Sequence, residues 1–149
     1  MRFWDTSAVV PLLLHEPASA RCDRWLAEDA EVALWTLTPV EVSSALFRLV
    51  REGALAERAA LQAEARIERL ARSSTEVVDV EGVKARARRL LRVHQLRAAD
   101  ALQLGAALAW AADLPAGRGL CTFDEGLALA AAREGFEVLG AGPATADTS

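Results

Sequence analysis

Met1-Arg-Phe-Trp-Asp-Thr-Ser-Ala8 is the segment around which the sequence predicts the rest of the fold to be arranged. Phe3 and Trp4 are strong strand formers, and the strand-like run stops at Asp5. Residues 9–14 are apolar and predict a short helix. A strand that ends on a carboxylate and turns at once into a helix is typical of the ligand-binding edge of an open α/β sheet. We therefore expect Asp5 to lie in a binding crevice.

Extended and helical segments alternate along the remainder of the 149 residues. Beyond the first strand, the predicted strands cover residues 31–36, 76–79, 118–122 and 136–139. The predicted helices cover residues 7–15, 19–26, 38–53, 55–72, 81–94, 98–112 and 125–133. In the helix over residues 55–72, Leu61 and Ala65 are expected to face the core. This alternation predicts an α/β fold, with a parallel sheet of four to five strands flanked by helices. We expect one domain over residues 1–139 and a loose, small-residue tail over residues 140–149.

Amino-acid composition limits which binding partners and which cellular compartment are expected for this chain. Hydrophobic residues make up 52% of the chain, enough for a substantial core, and 17 basic against 21 acidic residues give a net charge of −4. A chain of this charge would need a local basic face or bridging metal ions to bind nucleic acid. Cys22 and Cys121 have no partners at metal-site spacing and are expected to be reduced thiols. Neither a signal peptide nor a membrane-length apolar segment is visible, so we expect a cytoplasmic protein without a membrane partner.

Four carboxylates fall at equivalent places in the predicted fold. Asp5 and Asp124 each follow a strand, whereas Glu41 and Asp100 each lie in the first turn of a helix. In a parallel sheet these places share one edge, so the four acids are expected to gather in one crevice. Each also has an ordinary structural interpretation: Asp5 and Asp124 suit helix caps, Glu41 suits a capping box with Thr38, and Asp100 suits the dipole at the start of its helix.

Asp100 is the acid that a structural role explains least well. It lies in a helix made largely of Ala and Leu, and burying a carboxylate without a partner is costly. An arginine or a cation is therefore expected to face it. Four converging carboxylates without a nearby His or Cys cluster favour Mg²⁺ or Mn²⁺ over Zn²⁺. Such an ion activates water and stabilises the transition state of phosphodiester hydrolysis.

The sequence also resembles a known family in four segments. These segments are Phe3-Trp-Asp-Thr-Ser-Ala8, Thr38-Pro-Val-Glu-Val42, Arg97-Ala-Ala-Asp-Ala-Leu-Gln-Leu104 and Leu120-Cys-Thr-Phe-Asp124. Together, and in this order, they are similar to the PIN domain, in particular to the VapC-type toxins of prokaryotic toxin–antitoxin pairs. The resemblance covers residues 1–139.

The resemblance implies a Mg²⁺-dependent endoribonuclease, with Mn²⁺ able to substitute, that cleaves single-stranded RNA by metal-activated water. It also implies a homodimer that is neutralised by a small antitoxin protein encoded beside it. By position, the acidic metal site and its catalytic residues correspond to Asp5, Glu41, Asp100 and Asp124. Thr6 and Thr122 fall where the family places a hydroxyl beside that site.

Two surfaces have functional interpretations that the sequence leaves open. The basic helix that carries Lys84 and continues toward Arg97 suits either tracking of RNA phosphates or an ordinary solvated face. Leu12, Leu13 and Trp25 would suit a groove for an antitoxin helix, although a place in the core is the stronger expectation.

Two rival functions remain at this stage. One is a phosphohydrolase with Asp5 as nucleophile, but such enzymes usually carry a second Asp two residues on, where this chain has Ser7. The other is a PIN scaffold that has lost metal binding and acts only as a binding module.

Overall fold

A five-stranded parallel sheet forms the centre of the computed structural model, which describes residues 1–141. The strands lie in the order β3-β2-β1-β4-β5, so the first strand is central. They are β1 (Arg2–Trp4), β2 (Val32–Trp35), β3 (Thr75–Val77), β4 (Gly119–Thr122) and β5 (Glu137–Gly140). The predicted α/β fold with a parallel sheet is confirmed.

Helices cover both faces of this sheet. The seven helices within residues 1–141 are α1 (Thr6–Leu13), α2 (Ser19–Glu28), α3 (Thr38–Arg51), α4 (Glu57–Ser73), α5 (Val80–Val93), α6 (Ala98–Trp110) and α7 (Glu125–Glu134). Successive residues of a strand point to opposite faces, so Phe3 packs in one hydrophobic cluster with Leu104, and Trp4 packs in the other with Leu46. Burial on both faces explains why the four residues of β2, beside the central strand, are all apolar.

The register of the central strands brings their carboxyl ends to one edge. Phe3 lies opposite Ala33 on one side and Leu120 on the other. The next hydrogen bond along this ladder runs from the Asp5 backbone N–H to the Cys121 carbonyl, at 3.0 Å. Asp5 is therefore held beside the exit of β4, at the same edge where α1, α3 and α7 begin.

Two local predictions about the helices are wrong. Thr38 is the first residue of α3 rather than its cap; Leu37 precedes the helix without a side-chain cap bond, so the expected capping box with Glu41 does not form. In α4, Leu61 is 54% exposed and Ala65 is also exposed, although both were expected in the core. The buried residues of α4 include Ala60 and Ala63, whose small side chains allow a close approach to the core.

Several side chains whose position the sequence left open are buried in the structure. Leu13 and Trp25 are each 3% exposed, so the core interpretation holds for them over an open antitoxin groove. Cys22 and Cys121 are buried free thiols, and burial raises the pKa of each to about 12. The side chain of His94 is almost buried, and its Nε2 contacts Glu134 at 2.7 Å.

The last strand continues one residue beyond the predicted domain boundary. Gly140 ends β5 with φ +117°, and the next residue, Ala141, donates its N–H to the Thr122 carbonyl at 2.8 Å. The rest of the predicted tail, residues 142–149, lies outside the described residues. Within residues 1–141, the helices are all too short or too polar to cross a membrane.

Candidate functional site

An open pocket of about 370 Å³ lies at the carboxyl edge of the central strands. The four acids singled out from the sequence all line it: Asp5, Glu41, Asp100 and Asp124. They reach the pocket from the exit of β1, the first turns of α3 and α6, and the exit of β4. Residues that are more than a hundred positions apart in sequence therefore meet in one place.

Asp5 is the most deeply buried of the four acids, with 4% exposure. Its Oδ2 accepts hydrogen bonds from the Ser7 hydroxyl at 2.6 Å, the Ser7 N–H at 3.3 Å and the Thr122 hydroxyl at 2.9 Å. Its other oxygen, Oδ1, receives none of these bonds. Burial raises the pKa of Asp5, and the hydrogen bonds from Ser7 and Thr122 oppose that rise.

The same hydroxyls also join the exit of β4 to the start of α1. The Thr122 hydroxyl accepts from the Asp124 N–H at 3.1 Å, and the Ser7 hydroxyl accepts from the Phe123 N–H at 2.9 Å. A hydroxyl can donate and accept at once, so each of these groups accepts a backbone N–H while its proton is donated to Asp5. This network fixes the orientation of the Asp5 carboxylate.

Glu41 is held in a similar way, by one of its two oxygens. Its Oε2 accepts from the Thr6 hydroxyl at 2.8 Å and from the Gln103 amide at 3.1 Å. Burial is the main cause that raises the pKa of Glu41; the charge of Asp5 adds to it, while the bonds from Gln103 and Thr6 oppose it. Glu41 thus points into the pocket and does not cap its own helix.

Gln103 is the centre of this second network. It is 1% exposed, and its amide nitrogen also lies 3.1 Å from the hydroxyls of Thr6 and Thr38. Its amide oxygen has no hydrogen-bond partner among residues 1–141. Gln103 is a polar residue in a helix that is otherwise largely apolar, and nothing in its spacing in the sequence indicates that it holds Glu41.

Asp124 has a structural role as well as a place in the pocket. It caps α7, because its Oδ1 accepts from the Leu127 N–H at 2.7 Å. The cap interpretation is therefore correct for this residue, as it is for Asp5 on α1. Neither role excludes the other, since a carboxylate has two oxygens.

Asp100 differs from the other three acids. No hydrogen bond or ion pair to its side chain is found within residues 1–141. Burial raises its pKa to about 6, the charges of Asp124, Asp5 and Glu41 contribute further, and only Arg97 opposes the shift. No arginine forms an ion pair with Asp100 within residues 1–141, so the charge of this carboxylate is left unpaired.

The donor set suits a hard divalent cation, although the arrangement is not a ready-made cage. Carboxylate oxygens are the ligands that Mg²⁺ and Mn²⁺ prefer. However, within residues 1–141 no three His, Cys, Asp or Glu side chains are grouped closely enough to hold an ion together. Asp5, Glu41 and Asp124 each use one oxygen for a protein donor. Their remaining oxygens and Asp100 are the groups that would hold an ion.

The basic helix, α5, offers less free positive charge than its sequence suggested. Lys84 pairs with Glu81, Arg86 pairs with Asp113 at 2.8 Å, and a third cation of this helix pairs with Glu134. Three of its cations are therefore already engaged. This favours the interpretation of α5 as a solvated face of the domain.

Comparison with known proteins defines the family. The model of the PIN domain family matches residues 2–134, so this chain belongs to the PIN domain family. The predicted single PIN-like fold is confirmed by this match together with the sheet. No curated protein matches the sequence significantly.

Solved structures share the fold at low sequence identity. FitAcB from Neisseria gonorrhoeae has a TM-score of 0.62 at 19% identity, covering 94% of this chain and 97% of its own. VapC20 of Mycobacterium tuberculosis, described as a toxin that cleaves the sarcin–ricin loop, has a TM-score of 0.61 at 20% identity, covering 87% and 95%. PAE2754 from Pyrobaculum aerophilum has a TM-score of 0.56 at 24% identity, covering 87% and 78%.

Proposed function

We propose that this PIN domain is a Mg²⁺- or Mn²⁺-dependent endoribonuclease that cleaves single-stranded RNA and acts as a VapC-type toxin. The observation that carries the proposal is Asp100, a half-buried carboxylate that shares a pocket with three other acids and has no protein cation paired with it. A pocket of this kind is stabilised by binding a divalent cation. Membership of the PIN domain family and the likeness to a toxin described as cleaving an RNA loop support RNA as the substrate class.

Each acid has a distinct part in the proposed site. Asp100 and the unbonded oxygens of Asp5 and Glu41 hold the ion, and Asp124 completes the site or orients water. When bound, the ion supplies activated water and stabilises the charge that develops on the phosphodiester. The hydroxyl of Thr122 holds Oδ2 of Asp5, so that Oδ1 remains available to the pocket.

Thr6 performs the equivalent task for Glu41. It therefore acts as a positioning residue, as does Thr122, and neither is a ligand in this proposal. The proposal also includes the partners that the family resemblance implies, which are a second copy of the chain, a small antitoxin protein and a cytoplasmic RNA.

The decisive experiment compares RNA cleavage by the wild-type protein and by Asp100→Asn. Each protein is incubated with Mg²⁺, Mn²⁺ or chelator and a panel of structured and single-stranded RNAs. Asp23→Asn, which changes an exposed acid outside the pocket, is the matched control for purification and charge. We expect cleavage by the wild type and Asp23→Asn only with metal, and none by Asp100→Asn.

Calorimetry with Mg²⁺ or Mn²⁺ distinguishes the rival functions. Loss of metal binding in Asp100→Asn alone is expected if the pocket is the metal site. Absence of metal binding in the wild type would establish a scaffold without metal chemistry. Covalent phosphorylation of Asp5 by a phosphomonoester would instead establish the phosphohydrolase.

A further inference from the structure

The pocket contains one cation in addition to its acids. Among its lining residues within the described part of the chain, only Arg48 carries a positive charge. Five carboxylates line the same pocket, which are Asp5, Glu16, Glu41, Asp100 and Asp124. An RNA that enters the pocket would meet strong repulsion from these acids. A protein cation at the rim would reduce that repulsion for a polyanionic substrate.

Arg48 is placed by the periodicity of α3. It follows Glu41 by seven residues, with Ala45 between them, and all three line the pocket. Seven residues are two helical turns, so the two side chains share a face and are separated by about 10 Å along the axis. Arg48 thus lines the pocket about two helical turns beyond Glu41 on the same face of α3.

The guanidinium of Arg48 is available to a ligand. Arg48 is exposed, and within residues 1–141 its side chain makes no hydrogen bond, ion pair or ring contact. Glu16 is the fifth acid that lines the pocket, and Arg48 does not form an ion pair with it. By contrast, Arg86 and Arg89 of α5 are each engaged in an ion pair with an acidic residue.

We propose that Arg48 binds an RNA phosphate that neighbours the scissile phosphodiester, and so sets where along the strand the RNA is cut. This inference rests on the proposed function. Arginine suits the task because its planar guanidinium donates two parallel hydrogen bonds to phosphate oxygens. Because Arg48 lies two helical turns from Glu41, the phosphate that it binds would be a neighbour of the phosphodiester that is cut, not that phosphodiester itself. Arg48 is therefore a substrate-binding residue that does not hold the ion.

The experiment uses the full-length chain and three variants. Arg48→Gln removes the charge, Arg48→Lys keeps the charge but loses the fork, and Arg51→Gln is the matched control. Arg51 lies one turn further along α3, is exposed, and does not line the pocket. Steady-state cleavage of a labelled single-stranded RNA is measured with Mg²⁺ over a series of salt concentrations. Urea unfolding of each variant confirms that the fold is unchanged.

Arg48→Gln is expected to raise KM about five- to tenfold with little change in kcat, because it removes binding that is equal in ground and transition states. The slope of log(1/KM) against log salt concentration is expected to become shallower by about 0.7, the value for one lost phosphate contact on a single strand. Arg48→Lys is expected to have a KM between those of the wild type and Arg48→Gln, and the same salt dependence as the wild type. A shift in the cleavage position in Arg48→Gln would further support the role in register.

Equal KM and equal salt slope in Arg48→Gln and Arg51→Gln would overturn the inference and leave the nuclease function intact. A fall in kcat alone, with KM unchanged, would also overturn it. If the wild type cleaves no RNA with metal, the proposed function fails and Arg48 loses this role with it.

Discussion

Replacing Asp100 by asparagine is expected to make the metal-free protein more stable at pH 8 while abolishing turnover. The Asp100 carboxyl has a pKa of about 6 in the folded protein, against an ordinary value of 3.8, because burial and three neighbouring acids disfavour its charge. Its charged form is therefore carried at a cost in the fold. Asparagine has nearly the same shape and no charge, so that cost disappears.

The expected gain in stability follows from the difference between the folded and the ordinary pKa of Asp100. About two pKa units correspond to about 3 kcal/mol if the carboxyl were fully shielded from water. Asp100 is only half-buried, so solvent and salt reduce the effect, and we expect a gain of about 1 kcal/mol. For a domain of this size, a gain of about 1 kcal/mol raises Tm by about 2–4 °C.

The pH dependence has a definite sign. The folded state binds the Asp100 proton more tightly than the unfolded state, so this group contributes stability at pH below about 3.8. That stability is lost as the pH rises through about 6. The advantage of Asp100→Asn should therefore grow between pH 4 and pH 7 and then remain constant.

Urea unfolding in chelator, at intervals from pH 4.5 to pH 8, measures this difference directly. Asp23→Asn again serves as the control for an exposed acid. Mg²⁺ is expected to reverse the order, because binding to the native state stabilises the wild type but not the variant. An Asp100→Asn protein that is no more stable than the wild type at pH 8 would refute the reasoning about uncompensated charge.

Three further substitutions test the networks around the pocket. Thr122→Val keeps the shape but removes a donor to Asp5; urea unfolding should show a loss of about 1–2 kcal/mol, and NMR titration a further rise in the Asp5 pKa. Gln103→Leu removes a donor to Glu41 and should cost about 1–3 kcal/mol in the same assay. Gly140→Ala places a methyl group against the Thr122 carbonyl at a positive φ and should lower Tm by several degrees.

One control variant serves all three substitutions. Ser73→Ala alters an exposed hydroxyl at the end of α4 and should leave stability within about 0.5 kcal/mol of the wild type. An unchanged Asp5 pKa in Thr122→Val would show that the hydroxyl does not hold the carboxylate. A Gly140→Ala protein as stable as the wild type would show that β5 can move away from β4.

Much of the fold follows from patterns that are local in sequence. Apolar strands, helix starts and glycine stops are set by neighbours a few residues apart, so the order of elements and the parallel sheet were predictable. The gathering of Asp5 and Asp124 was also predictable, because strand exits of a parallel sheet share an edge. These inferences needed no knowledge of individual contacts.

The failures arise where tertiary packing decides. Leu61 suits a helix core by type, but α4 presents Ala60 and Ala63 to the interior instead, and the helix phase follows that small-residue stripe. Thr38 suits a cap, but burial beside Gln103 gives its hydroxyl a distant partner. Contacts across 65 positions of sequence leave no mark in the local pattern.

The central position of β1 has a consequence for biosynthesis. Its carboxylate, Asp5, is synthesised before the Thr122 hydroxyl that orients it, which comes 117 residues later. At ribosomal rates of about 5–20 residues per second, the nascent chain spends several seconds or more with one half of the central ladder missing. β1 can pair with β2 in that interval, but its other edge stays open until β4 emerges. The pocket is thus expected to be among the last parts of the domain to form, so prematurely terminated chains should carry no nuclease activity.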